Sequence, residues 1–173
     1  MNISLIGMMG AGKTTIGKLL SEELGDFSFV DIDSLIVNNE KCSINEIFLK
    51  KGEKYFREIE SKILKEVLNN DNQIISTGGG IVLLEQNIRI LNEKSFTFYL
   101  SADEESLYER VKNSKDRPLL SDCDMKIKIH SLLKERINKY KQVHYIIDTN
   151  NKTPDIIVKE IIRRLEINGK YSS

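Results

Sequence analysis

Cysteine is nearly missing from this chain of 173 residues: only Cys42 and Cys123 occur, at no spacing that a structural metal would use. That argues against a disulfide-stapled secreted scaffold and points to a reducing compartment. An excess of charge is missing as well. Lysine and arginine number 26, and so do aspartate and glutamate, which leaves no net field to hold a nucleic-acid backbone. No apolar run approaches membrane-spanning length, and the N-terminus reads as strand and loop rather than as a charged leader before an apolar segment. Internal repeats and low-complexity linkers are absent too. These gaps predict a single soluble, cytoplasmic domain spanning 1–173, monomeric, with neither nucleic acid nor membrane as partner. A chain of this length buries roughly two-thirds of the surface its unfolded form exposes, so it needs no staple.

What is present begins at once. Asn2-Ile3-Ser4-Leu5-Ile6 runs into Gly7-Met8-Met9-Gly10-Ala11-Gly12-Lys13-Thr14, and the pattern G-x-x-x-x-G-K-[ST] is fully met. Glycines in such a loop let backbone N–H groups point at one phosphate chain, at the positive end of the following helix. Lys13 can then reach the β- and γ-phosphates, while the Thr14 hydroxyl can ligate Mg²⁺. Thr15 to Leu24 continues with apolar residues at helical spacing and stops at Gly25. The expected ligand is a nucleoside triphosphate, with Met8 and Met9 packing under the loop.

Apolar, β-branched runs appear at Ile3 to Ile6, Phe27 to Asp31, Gln73 to Thr77, Ser95 to Leu100 and Val143 to Asp148, with helical periodicity between them. This alternation predicts an α/β fold, a mostly parallel sheet covered on both faces. Ser43-Ile44-Asn45-Glu46 has capping-box spacing, and the helix it opens should break at Gly52. A second helix from Glu53 to Leu68 would bring Arg57 and Glu60 together, three residues apart. In such a fold ligands sit beyond the carboxyl ends of the strands, where the loop Gly7 to Thr14, Asp31-Ile32-Asp33 and Thr77-Gly78-Gly79-Gly80 all fall.

Asp31 and Asp33, read as alternating along an extended segment, would face the same way, one serving a metal and the other a hydroxyl; capping of the next helix is the plainer alternative. No acidic residue closes the third strand, so Asp31 is the carboxylate candidate for the magnesium shell. Three consecutive glycines after a strand are costly in backbone freedom. Either something approaches the backbone closely there, such as an anion or a sugar-like hydroxyl, or the segment is a plain tight turn.

The succession of Gly7 to Thr14, Asp31-x-Asp33, Phe56-Arg57-x-x-Glu60, Gly78-Gly79-Gly80, Arg117-Pro118-Leu119-Leu120 and Arg136-x-x-x-Tyr140 closely resembles shikimate kinase over almost the whole chain. The resemblance implies a three-layer P-loop kinase fold, with a five-stranded parallel sheet in the order 2-3-1-4-5, a substrate-binding helical region at about 33–61 and a mobile lid at about 112–124. It implies transfer of the γ-phosphate of ATP to the 3-hydroxyl of shikimate, with Mg²⁺, in aromatic amino-acid biosynthesis. Gly10, Ala11, Gly12, Lys13, Thr14 and Thr15 would then cradle ATP, with Thr14 and Asp31 at the metal. Asp33 would orient the ring hydroxyls and accept the proton of the attacking one. Arg57 and Arg136 would hold the carboxylate, Glu60 would steady Arg57, and Gly79 and Gly80 would touch the same substrate. Arg117 would close over the phosphates as a lid arginine; Arg110 would stack on adenine, beside Lys152 and Pro154. Some relatives carry arginine where Lys152 stands, and lysine cannot stack as a planar group.

His130 and His144 have no partner at metal or triad spacing and read as structural; Lys126 and Lys128 read as a solvated face. The rival functions are another small-molecule kinase of this fold, such as a gluconate kinase, and a nucleotide-binding protein without turnover. Retention of Lys13, Asp33, Arg57 and Arg136 speaks against the latter.

Overall fold

The computed structural model describes residues 1–112, 122–167 and 169. Five strands, Ile3–Ile6 (β1), Ser28–Asp31 (β2), Gln73–Ser76 (β3), Phe96–Ser101 (β4) and Tyr145–Asp148 (β5), pair in parallel in the order β2-β3-β1-β4-β5. The strands sit within two residues of the apolar runs that predicted them. β1 is innermost, with Ile3 opposite Ile74 on one side and Phe96 on the other. Ile3, Leu5 and Ile6 are wholly buried, as a strand covered on both faces must be, and each such side chain stabilises the fold by about 1.5–3 kcal/mol.

Seven helices lie between and after the strands among the described residues: Lys13–Leu24 (α1), Ile32–Glu40 (α2), Ile44–Val67 (α3), Glu85–Lys94 (α4), Glu104–Val111 (α5), Asp122–Tyr140 (α6) and Pro154–Ile167 (α7), with a 3-10 turn at Ile81–Leu83. Ile16, Leu20 and Leu24 form the buried stripe of α1. Its Gly17 has a packing role: a Cβ there would fall 2.5 Å from the Phe29 ring, so the bare backbone lets α1 lie close to β2.

The capping box at the start of α3 is complete. The Ser43 hydroxyl accepts from the Glu46 N–H at 3.3 Å, and the Glu46 carboxylate accepts from the Ser43 N–H at 2.9 Å. Gly52 breaks the helix with φ 81 and ψ 169, and the helix resumes at Glu53. Lys51, just before the break, donates to Glu40 at 2.7 Å, and the Tyr55 hydroxyl donates to the same carboxylate, so the kink is braced against the end of α2.

One local expectation fails. β2 ends at Asp31 and Ile32 already belongs to α2, so Asp31 and Asp33 do not alternate along an extended segment. Asp31 is the N-cap, its Oδ1 accepting from the Ser34 N–H at 3.0 Å, and Asp33 sits in the first turn. Ile32 is wholly buried and drives that turn into the core. Both carboxylates still face the same crevice, but a cap and a helical turn aim them there, not the pleat of a strand.

Candidate functional site

The phosphate loop leaves β1 and closes on α1, which Gly12 caps with a left-handed backbone at φ 91. Lys13 folds back over the loop, its ammonium donating to the carbonyls of Gly7 at 2.8 Å and Met8 at 2.9 Å. Burial pulls its pKa down to about 8 against the opposing pull of Asp33 and Asp31. Met8 is buried as expected, whereas Met9 faces the crevice together with Gly10, Gly12, Thr14 and Thr15. Ala11 packs beneath, 1% exposed, and its N–H closes the turn on Met8.

Beside the loop, three hard oxygen donors converge. The Thr14 hydroxyl donates to Asp31 Oδ2 at 3.1 Å and lies 3.4 Å from the Ser76 hydroxyl. Hydroxyl and carboxylate oxygens next to a triphosphate cradle fit Mg²⁺, which keeps several waters and takes few protein ligands. Ser76 had no place in the sequence reading. A hydroxyl at the last residue of β3, where a Walker B carboxylate is missing, was the available signal.

Across the crevice lie the remaining polar groups. Arg57 Nη1 donates to Glu60 Oε2 at 2.7 Å, and Glu60 is 0% exposed. Phe56 and Phe48 lie under the guanidinium, with ring centroids 5.0 and 6.0 Å from Cζ. Asp33 Oδ1 and Glu60 Oε1 are buried and have no hydrogen-bond partner among the described residues. Burial raises the pKa of both carboxyls; Asp31 adds to the effect on Asp33, while Arg57 works against it at each.

The triple glycine follows β3 and threads between these groups. A Cβ on Gly78 would fall 2.5 Å from Glu60 Oε1 and 2.9 Å from Asp33 Oδ1, and one on Gly80 would land on the Arg57 guanidinium. The close approach expected from sequence is therefore made, at these two positions, by the protein's own charged side chains. The carbonyl of Gly79 accepts from Arg136 Nη1 at 3.3 Å and from the Tyr140 hydroxyl. Tyr140 stacks on Tyr99 of β4 with centroids 4.8 Å apart, which fixes the end of α6 to the sheet. Sequence placed Tyr140 in a motif without a task; this anchoring is what it does.

On the opposite flank of the loop, Arg110 is exposed, but its guanidinium is held by three hydrogen bonds. Its Nη1 donates to the carbonyl of Gly10 at 3.3 Å and to the Thr149 hydroxyl at 3.1 Å, and its Nη2 to the Thr149 carbonyl at 2.9 Å. Lys152 pairs with Glu160 at 2.7 Å, and Pro154 opens α7. None of Arg110, Lys152 and Pro154 lines the crevice. Arg117 lies outside the described residues, as does most of the proposed lid. Of the two lysines read as solvated, Lys126 pairs with Glu105 and covers the Tyr108 ring, while Lys128 lines the crevice. Only the i,i+2 step between them hinted at that difference on a helix.

Thr14, Asp31, Asp33, Arg57, Glu60, Gly78 to Gly80 and Arg136 thus border one crevice of about 980 Å³. The arrangement offers a triphosphate cradle, a buried base-capable carboxylate, and two guanidiniums fit to grip a planar acid group.

Residues 9–166 match the sequence profile of the family described as Shikimate kinase. A curated Shikimate kinase of Thermodesulfovibrio yellowstonii is 41% identical over 171 residues, covering 98% of each chain. Among solved structures, the shikimate kinase from Acinetobacter baumannii in complex with shikimate superposes with a TM-score of 0.89 at 35% identity, over 96% of this chain and 93% of that one. The shikimate kinase from Aquifex aeolicus gives a TM-score of 0.84 at 38% identity, over 98% of both chains.

Proposed function

The chain belongs to the shikimate kinase family, and we propose that its crevice transfers the γ-phosphoryl group of ATP to the 3-hydroxyl of shikimate through the residues just described. The single observation that carries these assignments is the meeting of Asp33, Arg57 and Arg136 with the phosphate loop around one cavity.

In this reading Arg57 and Arg136 grip the substrate carboxylate, which turns the ring so that one hydroxyl faces Asp33. Burial, which raises the basicity of Asp33, suits it to accept the proton as that hydroxyl oxygen bonds to the γ-phosphorus. The bond from the γ-phosphorus to the bridging oxygen breaks, and ADP leaves with the electron pair. Lys13 exchanges the carbonyls of Gly7 and Met8 for phosphate oxygens, following developing charge that a phosphoryl transfer spreads over them. Thr14 and Asp31, with Ser76 beside them, would hold Mg²⁺, which when bound neutralises charge on the phosphates. Arg110, its guanidinium pinned in plane by Gly10 and Thr149, keeps its flat faces for stacking on adenine, and Pro154 and Lys152 border the same end. Arg117 is assigned to the lid at 112–124.

Cysteine scarcity supports cytoplasmic residence. The same reading takes the chain as a monomer. No described helix is long and apolar enough to cross a membrane. A coupled ADP-release assay run with shikimate, quinate and gluconate tests the reading; turnover should be confined to shikimate, and equal turnover with gluconate would overturn it.

A further inference from the structure

Arg57 is paired with two carboxylates of its own helix. Besides the short bond to the buried Glu60, its Nε and Nη2 both donate to a single oxygen, Oε1 of Glu53, at 3.3 and 3.2 Å. That edge of a guanidinium is the one on which a planar carboxylate seats two parallel bonds. The two contacts differ in kind. Glu60 is wholly buried at 2.7 Å, whereas Glu53 is 58% exposed and reaches with one oxygen over a longer distance than charge-assisted bonds usually show. Glu53 borders the crevice and stands directly after the kink at Gly52.

We propose that Glu53 is an internal stand-in for the substrate's acid group, occupying the Nε/Nη2 edge of Arg57 until shikimate displaces it, and that it thereby sets substrate affinity and selectivity. The inference rests on Arg57 being a carboxylate clamp. Glu60 cannot give way, since it is packed inside α3, and the guanidinium cannot turn aside, since Gly80 backs it on one side and Phe56 and Phe48 lie under it. The half-exposed partner is the one that exchanges. Its second effect is on anions in general. Lys13, Arg57, Lys128 and Arg136 all border this cavity, so an uncovered Arg57 would attract inorganic phosphate or a misplaced nucleotide tail. A stretched contact through one oxygen yields to a well-aligned bidentate carboxylate held by the rest of the ring, while a small anion without those further contacts gains less by displacing it.

The test compares the parent with Glu53→Gln, which keeps shape and removes charge, and with Arg57→Lys. Shikimate dissociation constants are measured by calorimetry without nucleotide, and inhibition by inorganic phosphate is measured against shikimate. Glu53→Gln should bind shikimate about two- to fivefold more tightly, the scale of releasing a half-exposed ion pair, and phosphate should become a competitive inhibitor at concentrations that leave the parent unaffected. Unchanged or weaker shikimate binding in Glu53→Gln would overturn the inference, marking Glu53 as an inert surface partner or as a support for Arg57. Should Arg57→Lys leave shikimate binding unchanged, the clamp assignment itself fails. Loss of affinity in Arg57→Lys without a gain in Glu53→Gln sinks only the role of Glu53.

Discussion

Gly80 and Arg57 fit together only because Gly80 has no side chain: the position a Cβ would take is already filled by the guanidinium. The backbone after β3 thus walls the pocket proposed to bind the acid group, and Gly80→Ala must push Arg57 out of place. Its expected signature is a shikimate KM raised roughly tenfold, the scale of one lost charge-assisted contact, while ATP binding stays near the parent value. Steady-state kinetics with each substrate varied in turn distinguishes this from general damage, which would disturb both.

Asp33→Ala removes the carboxylate assigned to the proton of the attacking hydroxyl. Turnover should fall by about 10²- to 10⁴-fold, the usual contribution of a positioned base, with nucleotide affinity largely retained. An unchanged kcat would take Asp33 out of the chemistry.

Arg136→Lys replaces a planar fork by a point charge and gives up the geometry proposed to serve a substrate carboxylate while the side chain donates to the Gly79 carbonyl. Shikimate KM should rise, with little change in ATP KM. Equal KM values for variant and parent would count against the two-guanidinium grip.

Replacing Lys13 with Met should cost several kcal/mol of transition-state stabilisation, on the order of a thousandfold in kcat. Single-turnover rates measure it, and retained activity would be fatal to the phosphate-cradle assignment.

Glu60 makes stability depend on pH in a definite direction. Its folded pKa lies above the ordinary 4.5 because burial disfavours the charge. The folded state therefore holds a proton that the unfolded chain releases, so this contribution is complete below about pH 4.5 and is lost as pH rises through the elevated value. Denaturant midpoints followed upward from that pH should fall more steeply in the parent than in Glu60→Gln; parallel curves would contradict it.

Much of this was legible in the sequence because it depends on local rules. The phosphate loop, the strand pattern, the capping box at Ser43 and the break at Gly52 each follow from short-range chemistry. The pairing of Arg57 with Glu60 followed from helical spacing alone. What escaped depends on through-space contact. Gly78 and Gly80 were visible as unusual, but that Asp33, Glu60 and Arg57 fill the space beside them needs the fold. Ser76 met Thr14 only once β3 lay beside β1, and the anchoring of Arg110 joined residues 39 and 100 positions apart. Asp33 faces the crevice for another reason than the one read from sequence, since β2 ends with its apolar run at Asp31 and the chain turns into α2 at Ile32 instead of staying extended through Asp33.

Gly79 receives Arg136 and Tyr140 on its carbonyl, and a Cβ on it would stand 3.5 Å from both the Gly7 oxygen and the Met9 nitrogen. Arg136, proposed to grip the acid group, and the phosphate loop therefore share a single spacer one residue thick. Whatever sets that thickness also gauges the gap proposed between the two reactants, so even a small insertion beside Gly79 would throw donor and acceptor out of alignment.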